Sequence, residues 1–84
     1  MNDHKSRKVI IELLEKRAVE ATTCPSEAAR SLAEAIGSPD WRDLMSTVHI
    51  AVDRLVTDGV VQLSWKGKPL DQRAGPYRIQ WRRD

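Results

Sequence analysis

The sequence predicts a mainly helical α+β domain, three to four helices followed by a two-stranded antiparallel sheet. Three observations carry this expectation. Apolar residues recur at the i, i+3, i+4 spacing of helices as far as Val56, then switch to strict alternation after Gly59. Cys24-Pro25 and Ser38-Pro39 read as helix starts, and Gly37 and Gly59 as helix ends. A chain of 84 residues, 40% hydrophobic and 31% charged, suits one domain with a modest core, residues 1–84, with 1–5 and 83–84 expected to fray.

A first helix is expected over residues 5–21. Ile10, Leu13, Leu14 and Ala18 fall on one stripe, while Glu12 and Lys16 can pair at i, i+4 on the outside. Two consecutive threonines, Thr22 and Thr23, then favour an extended connection. In "TTCPSEAAR" the residue before proline is kept out of the α region, so Cys24 is the expected N-cap. Pro25 takes the first helical position, and Glu27 sits at the third, near the positive end of the helix dipole. Ala29, Leu32, Ala33 and Ile36 form the inner face of this second helix.

"SPDW" repeats the start signal, with Ser38 as the expected cap of a short helix over 39–45. A longer helix over 47–58 follows, with Ser46 and Thr47 offering the break. Val48, Ala51, Val52, Leu55 and Val56 share its inner face. Beyond Gly59, Val61, Leu63 and Trp65 alternate with polar residues, as do Tyr77, Ile79 and Trp81. The intervening "GKPLDQRAG" reads as a turn-rich loop, too long for a tight hairpin. With no phenylalanine in the chain, Trp41, Trp65 and Trp81 are expected to supply core volume.

Charge is uneven. Residues 1–59 carry 8 Lys/Arg against 10 Asp/Glu, whereas residues 60–84 carry 6 against 2, within an overall net charge of +2. A basic C-terminal segment suits a polyanionic partner, or simply a charged strand edge. One cysteine excludes an internal disulfide, and neither a signal peptide nor a membrane span is expected, so the reading is cytoplasmic, with no membrane partner.

The order of three helices and a basic two-stranded wing resembles the winged helix–turn–helix fold, with "DRLVTDGVV" at 53–61 as the passage from third helix to wing. More closely, "CPSEAAR" (24–30), "WRDLM" (41–45), "DRL" (53–55) and "GPYRI" (75–79) resemble a small bacterial family known only as a domain of unknown function. This resemblance implies a winged-helix architecture over about residues 6–82 and brings no established activity. One departure is the stretch between the second helix and the helix at 47–58. It is longer than the 3–4 residues of an ordinary DNA-binding turn.

The function expected from sequence is nucleic-acid binding, with double-stranded DNA as the partner and a regulatory role in view. The contacts would come from Thr47, His49 and Arg54 on the helix 47–58 and from Lys66, Lys68, Arg73 and Arg78 on the wing, against which Asp53 and Asp58 oppose phosphate. The alternative is a protein-interaction module or homodimer. Cys24, Glu27, Arg30, Trp41 and Arg42 are read as a structural cluster, in which an arginine–tryptophan stack fixes the lengthened turn and Glu27 pairs with one of its arginines. No enzyme, cofactor or metal site is expected. His49 is placed on the outer face of another helix, away from Cys24, and one cysteine with two scattered histidines lacks the spacing of zinc ligands.

Overall fold

Burial of the apolar stripes sorts the chain into three α-helices and a three-stranded sheet, as seen in a computed structural model that describes residues 2–82. Met1 and residues 83–84, parts of the ends expected to fray, lie outside the described residues. Helix α1 spans Asn2–Glu15 and buries Val9, Ile10 and Leu14. It stops short of the expected residue 21. Beyond Leu14 the stripe offers only Ala18, which is exposed, too little apolar area to hold another turn against the core. The chain instead reverses, and Thr23 enters the sheet. Its N–H donates to the Ile79 carbonyl at 2.8 Å, and the Ile79 N–H donates back at 2.8 Å.

Helix α2 (Pro25–Ile36) starts and stops where its sequence signals lie. Cys24 is the N-cap in extended conformation, and Pro25 opens the helix. At the other end Gly37 adopts φ 73°, a left-handed conformation that a side chain disfavours, and the Gly37 and Ser38 N–H groups both donate to the Ala33 carbonyl. Ala28, Ala29, Leu32 and Ala33 are buried, so small residues let this helix approach its neighbours closely.

The next start lies two residues later than expected. Asp40, not Ser38, is the cap, and its carboxylate accepts the Arg42 N–H at 3.0 Å. A 3-10 turn over Trp41–Leu44 follows and leads directly into α3 (Met45–Thr57), with no break at Ser46 or Thr47. Asp40 wins because its carboxylate is at least as good a cap as the Ser38 hydroxyl. The lengthened stretch is therefore structured, and its buried Leu44 joins the core. Val48, Ala51, Val52 and Leu55 form the buried face of α3.

The sheet has three strands where two were expected: β1 (Val61–Trp65), β2 (Lys68–Leu70) and β3 (Arg78–Trp81), in the order β2-β1-β3 and antiparallel throughout. The loop expectation fails at its beginning. Lys66 at φ 52° and Gly67 at φ 79° form a two-residue turn of the I′ kind, which suits the twist of a hairpin. Lys66 is not a residue that announces positive φ, which is why this turn escaped the pattern. Val61, Leu63 and Ile79 lie on the core face, and Tyr77 just before β3 is also buried.

The core is thus aliphatic around one tyrosine, and no tryptophan is fully in it. Trp41 and Trp81 pack against its edge, and Trp65 is 38% exposed. This corrects the expectation that the tryptophans supply core volume. Among the described residues no helix is long and apolar enough to cross a membrane.

Candidate functional site

The start of α2 is tied down by charge. Glu27, at the third helical position, accepts from the Cys24 N–H at 3.5 Å and forms an ion pair with Arg17. Arg17 also donates to the Thr22 carbonyl at 2.8 Å, so one guanidinium clamps the connection between α1 and α2. The hydrogen bond from Arg17 holds the Glu27 carboxyl below its ordinary range, with the Cys24 contacts adding to the effect against the cost of burial. The partner expected for Glu27 was Arg30 or Arg42, and the structure corrects this to Arg17. Sequence reading missed this pair because Arg17 was expected inside the first helix, whereas α1 ends at Glu15 and leaves it able to reach forward.

The expected arginine–tryptophan stack does form. The guanidinium carbons of Arg30 and Arg42 each lie 4.7 Å from the centre of a Trp41 ring, joining α2 to the 3-10 turn. Contacts of this kind contribute about 0.5–1 kcal/mol each at exposed sites. They hold the lengthened turn against α2 and so set where α3 begins.

The seven residues expected to touch nucleic acid divide into two groups. Lys66 and Lys68 stand exposed at the β1–β2 turn, Arg54 is exposed on α3, and Thr47 is half-buried on the same helix. Arg54 also interacts within the fold, as do the other three. Arg73 makes a two-pronged contact with Asp53, at 2.8 and 3.0 Å, binding the segment after β2 to α3. That contact holds the Asp53 carboxyl below its ordinary range and raises Arg73 further. His49 Nδ1 lies 2.6 Å from the Tyr77 hydroxyl. Arg78 donates to the Thr22 hydroxyl at 2.9 Å and lies 3.4 Å from the Thr22 carbonyl oxygen.

His49 and Asp53 are one turn apart on α3, and both are gripped by residues 73–77. Together they strap this loop along one flank of the helix. Sequence reading missed the strap because neither pair is local: the partners are 20 and 28 residues apart. Burial, with help from the nearby Arg73 charge, lowers the His49 pKa, and burial also pushes the Tyr77 phenol well above its ordinary value.

The strap closes one side of a shallow cleft of about 330 Å³ between the start of α2, the first turns of α3, the end of β1 and residues 75–78. Cys24 and His49 both line it, with no contact between them among the hydrogen bonds of the described residues. The Cys24 thiol is 3.0 Å from the Ser26 hydroxyl and 3.5 Å from Glu27 Oε1, so its contacts lie within its own helix start. Trp65 and Met45 supply apolar walls.

Residues 3–82 match the family described as "Protein of unknown function (DUF3253)". The chain belongs to this family. The match covers every element of the fold except the first residue of α1, so the clamp, the stack, the strap and the cleft all fall inside the family domain. No curated protein matches the sequence.

Proposed function

We propose that this family domain is a winged helix–turn–helix module that binds nucleic acid, double-stranded DNA in the first instance, through its β1–β2 turn and the outer flank of α3. The observation that carries the reading is the hairpin turn. It places Lys66 in the turn and Lys68 at the first position of β2, both exposed. Phosphate contacts of this sort orient a protein on the duplex without reading sequence. Asp53, which opposes phosphate when α3 is considered alone, is neutralised by Arg73. Arg54 and Thr47 then complete the contact on α3, while His49, Arg73 and Arg78 serve to hold the wing in place. The reading is of a cytoplasmic, regulatory type of domain and assigns no catalysis to Cys24.

Fluorescence anisotropy with random-sequence duplex DNA tests it. Three cations that release phosphate counterions give a log–log salt slope of roughly −2 to −3. Lys66→Asn together with Lys68→Gln should reduce that slope by about 2. Absence of saturable binding at about 25 mM salt would overturn the proposal. A second reading, a protein-interaction or homodimer module, is favoured by the exposure of Ile50 (51%) on α3 and of Trp65 (38%). Sedimentation of the pure chain over a range of concentrations decides the homodimer form of that reading.

A further inference from the structure

We propose that the cleft beside Trp65 is a notch for one unstacked nucleotide, so that the domain favours single-stranded ends or gaps over uninterrupted duplex. The inference rests on the nucleic-acid reading above and deepens it. Trp65 alternates with Val61 and Leu63, which are each 1% exposed, so its ring belongs to the core face of the sheet. It nevertheless keeps 38% of its surface bare, because it overshoots the end of the core, where the open cleft lies. A large aromatic ring turned toward a cleft, with Met45 and Pro76 beside it, is a stacking wall.

Charge points to the kind of ring it would take. Lys68 is the residue directly opposite Trp65 across the hairpin, and directly opposed residues share a sheet face. An ammonium group therefore neighbours the indole, placed for the phosphate of a stacked nucleotide. No acidic side chain lines this cleft. The clefts at Asp53 and Asp71, at Glu12 and Glu15, and at Arg54 and Asp58 mix acids with cations, whereas this one holds Arg78 and no acid. Within the notch, the Ser26 hydroxyl and the His49–Tyr77 pair offer donors and acceptors to a base edge. A volume of about 330 Å³ has room for one nucleotide and none for a base pair in its stack. Bases inside a duplex already have both faces covered, so only an unpaired base can use the tryptophan.

Anisotropy of the full chain with a labelled oligothymidylate and with a blunt duplex of equal length tests the notch. Trp65→Ala should weaken single-strand binding about tenfold, the scale of one lost stacking contact. It should leave duplex binding within about twofold, since phosphate contacts through the lysines remain. Trp65→Phe, which keeps a ring, should retain most single-strand affinity. Equal weakening of both ligands, or none of either, would overturn the notch. Alkylation of Cys24, the only cysteine, gives a readout that needs no variant. Thymidine monophosphate or the oligonucleotide should slow it at least severalfold. Slowing by the mononucleotide identifies a free nucleotide as sufficient, slowing by the strand alone identifies the strand, and slowing by neither overturns the notch. Salt-sensitive duplex binding with no Trp65 dependence would remove the notch and leave the nucleic-acid reading standing. Failure of both DNA forms to bind would remove both.

Discussion

Arg17 and His49 show how single side chains join distant parts of this small chain. The Arg17–Glu27 pair is about a third exposed on each side, so its coupling should be about 0.5–1 kcal/mol in a double-mutant cycle followed by urea unfolding. The same cycle between Glu27 and Arg30 should give a coupling near zero. For His49 the folded-state pKa lies below the ordinary value of 6.5, because burial disfavours the imidazolium. The unfolded chain therefore binds the proton more readily. This contribution to stability is fully present above about pH 6.5 and is lost as pH falls through the folded-state value. Urea midpoints should drop over that window in the native chain, and His49→Gln should flatten the drop. A midpoint insensitive to pH there would contradict the burial of His49. Glu27 and Asp53, both depressed by arginine partners, add a second loss at more acid pH as they protonate.

At the scale of elements, the β1–β2 turn is where a variant can separate stability from the proposed binding. Lys66 pays conformational strain at φ 52°, and asparagine tolerates that region better than lysine. Lys66→Asn should therefore raise stability by about 0.5 kcal/mol in thermal or urea unfolding while weakening DNA binding. A variant that loses both would mean that the lysine itself supports the hairpin. Gly67→Ala should do the reverse of Lys66→Asn in unfolding, costing about 1 kcal/mol at its φ of 79°. The helices were legible in the sequence because their signals are local: a proline after Cys24, a glycine at 37, and stripes of apolar residues. The end of α1 was not, since it depends on whether Ala18 finds a surface to bury against. Neither was β2, whose three residues Lys68–Leu70 show no alternation and are defined only by pairing with β1.

The whole molecule places its basic C-terminal segment around α3 so that some cations hold the fold and others face outward. Composition showed the excess of positive charge but could not say which arginines would be engaged. Arg73 and Arg78 find their partners, Asp53 and Thr22, across 20 and 56 residues of sequence. The cleft was hidden for the same reason: Cys24, His49, Trp65 and Tyr77 come from four separate segments that meet only after the sheet closes on α3. The structural cluster of Arg30, Trp41 and Arg42 was readable because its parts flank one turn. The central claim, that the β1–β2 turn and α3 meet duplex DNA, is tested most directly by following backbone amide resonances as random-sequence duplex is added at low salt. The largest shifts should fall at Lys66, Gly67 and Lys68, with a second group at Thr47 and Arg54. Shifts confined to α1 and α2, or no shifts at any DNA concentration, would contradict it.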